Sequence, residues 1–352
     1  MPLSHFLSER VLYIDDQEIL SYKSGNLIFR KKGSITQKVQ IGNLYNKIPL
    51  LERILRKEPR CAAKVSQGLY IISFGGTIYN YSVNKNTLVR EHDFDKGMNN
   101  PLDFLTVSFQ DEDEIVVFYG EYIWNERKGP VSIYKRDRER WKKVFEFPEE
   151  SIGHIHNIVH DQYHEGFLIL TGDEDSESGI WFADYDFANV NPLLIGNQQY
   201  RSCVAYPVKD GIIYATDTPL EENHIYKVEL DESMNVAEIK KEYAMPGPCI
   251  YGTAYKENFY FATSVEPDSA LPKWRFRFTY QLGNGVKSRC THIIKRTSEG
   301  YYSDICSIKK DIFPMWLFQF GNAIFPKNDS SHLYAVLQST TKGHGVTYKI
   351  EG

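Results

Sequence analysis

The sequence has no Cys-x-x-Cys pair, no apolar run long enough to cross a bilayer, no excess of basic residues and little alanine. Each absence excludes something. The five cysteines, Cys61, Cys203, Cys249, Cys290 and Cys306, are odd in number and scattered. Neither a paired-cysteine zinc site nor a disulfide framework is expected, and they read as small buried hydrophobes. A membrane-spanning helix needs ~18 consecutive apolar residues, and no segment approaches that. Lys plus Arg number 41 against 46 for Asp plus Glu, a formal net charge of −5. A dedicated nucleic-acid binder would carry a basic stripe, so no nucleic-acid partner is expected. The run Trp274-Arg-Phe-Arg-Phe278 alternates basic and aromatic residues, but it reads as one strand rather than a patch. The G-x-S-x-G and H-E-x-x-H signatures are missing, and Gly283-Asn-Gly285 is a turn with no helix behind it to cradle a phosphate. The opening residues show neither the basic nor the apolar stretch of a secretory signal. With unpaired cysteines, that predicts a reducing, cytoplasmic setting.

What is plentiful is aromatic: 24 Tyr and 20 Phe in 352 residues. Short runs rich in β-branched and aromatic residues recur, bounded by Gly, Asp, Asn or Ser. They lie at 68–74, 114–120, 166–172, 211–217, 258–264 and 332–338. A turn and a second run follow several of them, at 77–81, 131–135, 179–183 and 224–228. The first four intervals between starts are about 44 to 52 residues, the period of four-stranded propeller blades. The fold predicted is an all-β propeller of six or seven blades forming one domain over 1–352. The N-terminal segment should lend a strand to the last blade, since joining the ends hides two sheet edges. Ile48–Lys57, with apolar residues at helical spacing and Pro49 near its start, predicts a short helical insertion at about 47–57.

Lys135 to Trp141 resembles a worn Asp-box, Ser-x-Asp-x-Gly-x-x-Trp, with Asp137 kept, Lys135 and Glu139 in place of its Ser and Gly, and Trp141 one residue nearer the Asp than the pattern has it. In such a box the carboxylate satisfies turn amides and the indole packs on the blade. Further short stretches lie along the chain: Tyr119-Gly-Glu-Tyr122, His154-Ile-His156, Gly172-Asp-Glu-Asp175 with Glu177 and Gly179, and Thr216-Asp-Thr-Pro219 with Glu221 and Asn223. Thr263-Ser-Val-Glu-Pro267 and Phe318-Gln-Phe-Gly321 complete the set. Together they make most of the chain resemble the sialidase-like, Asp-box β-propeller proteins, a largely uncharacterised family associated with polysaccharides. The resemblance implies a propeller with a carbohydrate-related role. It departs at the arginine triad with which sialidases clamp a carboxylate, which has no evident counterpart here.

The densest polar cluster is His154-Ile-His156, with His160 and His164 beyond. Alternation along a strand would point His154, His156 and His160 to one face. His154 and His156 suit a divalent metal, or a general base with a stabiliser. Acidic residues follow successive runs at the same strand end: Glu121 (with Tyr122), the pair Asp173 and Asp175, then Asp217 and Glu266. They should ring one mouth of the propeller. Arg201 can clamp a carboxylate, Gln319 can bond sugar hydroxyls, and Tyr122, Trp124 and Trp274 can stack on sugar faces.

The function predicted is a carbohydrate-active enzyme on an acidic poly- or oligosaccharide, with lyase chemistry ahead of glycoside hydrolysis. His154 or His156 would be base or metal ligand, Tyr122 the proton donor, and Arg201 the neutraliser of a uronate carboxylate. Hydrolysis would instead call on two carboxyls among Glu121, Asp173, Asp175 and Glu266. The rival expectation is a non-catalytic module binding glycan or protein through the same mouth.

Overall fold

The structure is a computed structural model, and residues 2–95, 97–109 and 115–351 are described. Glu114, which opens the run at 114–120, lies outside them. Seven sheets stand as the blades of a seven-bladed β-propeller, all antiparallel except that Lys327–Asp329 joins the first blade parallel to Arg10–Asp15. The sequence left six and seven open, and the reason is now visible. The N-terminal segment supplies a whole blade, from Arg10–Asp15 to Ser34–Gln40, as well as the expected closing strand. That strand, Leu3–Leu7, pairs antiparallel with Val346–Ile350 and completes the seventh blade. Closure leaves the ring without an open seam.

The aromatic runs are the second strands of their blades. Innermost are Ala62–Ser66, Leu105–Val107, Ile155–Asp161, Ser202–Val208, Cys249–Tyr255 and Asn322–Ile324, in blades two to seven. Each blade lies against a neighbour on both faces, so a second strand has no solvent side. Gly166–Thr171, Gly211–Thr216 and Leu333–Gln338 are buried at every position. That explains their near-continuous apolar sequence. Outer strands such as Val236–Met245 are largely open and polar. Seven hydrophobic clusters fill the seven gaps between neighbouring blades among the described residues. Phe118 on Phe167, with ring centroids 5.1 Å apart, fills the gap between blades three and four. The five cysteines are unpaired, and all but Cys290 are buried.

Gly211, at the start of the second strand of blade five, has φ +144°, and a Cβ there would lie 1.9 Å from the Val228 carbonyl oxygen. Both the backbone angle and the close approach demand glycine. Gly211→Ala should therefore lower stability by about 2 kcal/mol or more, read as a fall in the chemical-denaturation midpoint.

The helix expected near 47–57 is present as Pro49–Leu55, with proline in its first turn. Two local expectations fail. Trp274–Phe278 is not a strand but lies in a helix, Lys273–Phe278, entered from Pro272. It sits in the long connection between the second and third strands of blade six, where no sheet neighbour rewards alternation. Asp137 and Trp141 do flank the hairpin joining Val131–Asp137 to Arg140–Phe147, but the carboxylate pairs with Lys142 at 2.5 Å rather than with turn amides. Trp141 does pack inward, 5.0 Å from Tyr119, and donates to Glu91 at 2.8 Å. Among the described residues no helix is long and apolar enough to cross a membrane.

Candidate functional site

Inner strands start, and second strands end, on the same face of a propeller. The connections there bring residues of blades three to six, and of the segment entering blade two, around one recess. The local device is a β-bulge at the start of three successive inner strands. Register slips between Ile155 and Asn157, between Ser202 and Val204, and between Cys249 and Tyr251. The skipped residues, His156, Cys203 and Ile250, leave the ladder, and a bulge of this kind re-aims a side chain. Gly120 secures the entry to the histidine strand. A Cβ on it would meet Ile155 Cγ2 at 2.4 Å, and Ile155 N–H donates to Glu121 O at 2.9 Å.

Asp173, at the end of the second strand of blade four, is the hub. Arg201 Nη2 lies 2.8 Å from its Oδ1, and Arg201 Nη1 donates to its backbone carbonyl at 3.2 Å. His156 Nε2 is 3.3 Å from Oδ1, and His154 Nε2 is 3.8 Å from Oδ2. His156 Nδ1 is 2.9 Å from Ser202 O, and the two imidazole centroids are 4.8 Å apart. Tyr122 meets the His154 ring edge-on at 4.8 Å, and the Arg60 guanidinium covers the Tyr122 ring at 5.0 Å. On the blade-five side, Cys203 Sγ donates to Asp217 Oδ2 at 3.1 Å. On the blade-six side, Ser264 Oγ donates to Glu266.

Electrostatics follow from crowding charges under cover. Burial pushes the Asp173 carboxyl up, but the Arg201 guanidinium and the two imidazoles outweigh it and hold it well below the usual range. Burial drives His154 down to about 3, against the pull of Asp173 and with help from His156, Arg201 and Arg60, so its ring is neutral. Burial and then the charge of Asp217 push Glu266 up to about 8, only partly opposed by Ser264 and Arg201. The Tyr122 phenol is raised by burial, which leaves it a donor. Three buried polar atoms here have no hydrogen-bond partner: His154 Nε2, Arg201 Nε and Asp217 Oδ1. Orphans of this kind are costly, and they commonly mark where a ligand, ion or water belongs. A cavity of about 260 Å³ continues down the axis, lined by Arg60, Cys203 and Tyr251 among others.

Of the residues singled out from sequence, His154, His156, Tyr122, Asp173, Arg201, Asp217 and Glu266 come together. Others do not. Glu121 turns into its own blade, where Oε2 accepts from Ser132 N at 2.6 Å; its strand-end position matches the ring, but its side chain takes the opposite face. Asp175 forms no carboxylate pair with Asp173 and instead accepts from Gln198 Nε2 at 2.9 Å on the rim. Gln319 is not on a strand. With φ +71° it donates to Glu58 Oε1 at 2.6 Å and to Arg53 O at 3.0 Å, in a separate network under the helix Pro49–Leu55. Trp124 is 74% exposed and bonds Glu126 at 3.0 Å. His160 does not share the recess, because the bulge breaks the alternation that joined it to His154. It meets Tyr185 Oη at 3.1 Å, while His164 caps Asp161 at 2.7 Å. Sequence reasoning missed Arg60 and Cys203. The signal was available: Arg60-Cys61 and Arg201-Ser-Cys203 both place an arginine at the start of an inner strand.

No protein-family model matches this chain, and no curated protein matches it in sequence. Solved structures do share its fold. An oligogalacturonate lyase from Vibrio parahaemolyticus superposes with a TM-score of 0.53 at 10% identity, covering 99% of this chain and 97% of that one. The calcium-binding protein regucalcin from Agrobacterium tumefaciens gives 0.46 at 11% identity, covering 77% of this chain and 85% of its own. TolB from Acinetobacter baumannii gives 0.43 at 11%, covering 84% and 61%. At such identities the likeness to the lyase establishes the β-propeller and nothing finer.

Proposed function

We propose that the mouth binds an acidic oligo- or polysaccharide and cleaves it by β-elimination. One observation carries this: a single recess holds two arginines, a carboxylate with a free oxygen and a carboxyl kept protonated near neutrality. Arg60 makes no salt bridge among the described residues, and with Arg201 it offers the charge that a uronate carboxylate needs. Neutralising that carboxylate acidifies the proton α to it. Asp217 Oδ1 is the unpartnered acceptor for that proton. The electron pair released forms a C=C bond as the neighbouring C–O bond breaks, and Glu266 protonates the departing oxygen. A carboxyl kept protonated beside an unpartnered carboxylate oxygen is how acid and base are assigned here. Tyr122 stands as a second donor. His154 falls away as the base, since a nitrogen held at about 3 is a weak acceptor near neutrality. The neighbour named as an oligogalacturonate lyase agrees with the reaction class. The sialidase-like resemblance adds only that Arg60 and Arg201 give two cations where that family places three.

The test is incubation with uronate polymers and oligomers, followed by ultraviolet absorbance of the new C=C bond. Absorbance should rise with the protein and be lost with Arg60→Ala. New reducing ends without absorbance would mean hydrolysis, and saturable binding without cleavage would mean a glycan-binding module. Either result overturns the elimination reading.

A further inference from the structure

We propose that His154, His156 and Asp173 bind one divalent first-row transition-metal ion. The inference rests on donor geometry and stands apart from the sugar chemistry. The Ser202 carbonyl can only accept, so the 2.9 Å contact assigns the proton to His156 Nδ1. His156 Nε2, the other ring nitrogen, faces the carboxylate oxygen of Asp173 at 3.3 Å. His154 Nε2 faces the other oxygen at 3.8 Å, buried and with no partner. Two imidazole nitrogens and the two oxygens of one carboxylate thus turn toward one another, as the donor set of a single cation does. His154 is nine-tenths buried, at 8% exposure, so its unpartnered nitrogen is covered from bulk water.

The spacing suits an ion. Two metal–ligand bonds of ~2.1 Å span up to ~4.2 Å, and both nitrogen–oxygen separations fall within that. The three donor groups converge among the described residues. The Ser202 contact is the outer hydrogen bond that fixes the tautomer of a metal-binding histidine. Arg201 occupies part of Asp173 Oδ1, but a carboxylate has about four lone-pair sites, enough for a guanidinium and an ion together. A second convergent set, His156, Cys203 and Asp217, shares His156 and so cannot be filled independently. There Cys203 is donating to Asp217 and is therefore a thiol, not the thiolate a metal takes. Two imidazoles with one carboxylate favour Zn²⁺, Mn²⁺, Fe²⁺ or Co²⁺ over Ca²⁺ or Mg²⁺, which prefer oxygen.

The experiment strips the full chain with a chelator, then titrates it calorimetrically with Zn²⁺ and Mn²⁺ and records visible spectra with Co²⁺. One ion per chain should bind, Ca²⁺ should not displace it, and His154→Ala should weaken affinity at least ~100-fold. Circular dichroism checks the fold of the variant, and Asp173→Asn serves if His154→Ala does not fold. Should both misfold, the Co²⁺ ligand-field bands of the unmutated protein decide alone. No ion bound by the stripped protein, or unchanged affinity in a folded variant, overturns the site. A proton on His156 in place of a metal would give the first of these results. Metal binding with no action on uronates would uphold this site and refute the elimination; cleavage by metal-free protein with no ion uptake would do the reverse.

Discussion

Replacing Glu266 by glutamine should lower kcat on a uronate substrate by about 100-fold to 10,000-fold, the usual worth of a positioned acid. It should also remove the loss of activity at high pH. Burial first, then the Asp217 charge, lifts Glu266 from 4.5 to about 8. The protonated form is the donor, so kcat/KM of the unmutated protein should fall as pH rises through about 8. Glutamine keeps the shape and can still meet Ser264, but it has no proton to give. Stability carries the same sign. The unfolded chain releases this proton near 4.5 while the folded chain holds it to about 8, so folding is most favoured below the first value. That contribution is lost progressively between them. Denaturation of the Gln variant should therefore lose less stability over the same pH window. A pH profile unchanged by the substitution would remove Glu266 from the acid role.

Arg201→Ala should cost at least ~100-fold in kcat/KM on an acidic substrate while the β-sheet signal in circular dichroism persists. Arg201 does two things at once. It holds Asp173 ionised, and it leaves Nε buried and unpartnered beside the recess. Without it, burial is the largest influence left on Asp173, and its carboxyl should rise. Arg201→Lys should recover little. One ammonium cannot reproduce the fork that reaches both the Asp173 carboxylate and its backbone carbonyl at 2.8 and 3.2 Å. The Asp173 side chain remains 48% open, so the effect on stability should be small beside the effect on turnover. Full rescue by lysine would show that charge alone, not the fork, is what the site uses.

Much of this molecule is legible in one dimension. The second strands announce themselves because burial on both faces leaves only apolar and aromatic residues. Their spacing follows from four strands per blade. The helix at Pro49–Leu55 shows in its spacing and its proline, and the acids at strand ends show as the first polar residues after each run. Those are local consequences of local burial. What the tertiary structure alone decided is membership. Closure of the ring made the N-terminal segment a complete blade plus a closing strand, and so set the number at seven. A one-residue bulge released His156 from the ladder beside His154 and left His160 in another gap, because a strand with period two changes face wherever a residue is skipped. Glu121 follows the same kind of strand end as Asp173, yet it turns into its own blade to meet Ser132. Arg60, far away in sequence, lies over Tyr122 because blades two to six converge on one axis. Which side chains share a recess depends on how distant strand ends are brought together, and that is a property of the closed ring rather than of any run of residues.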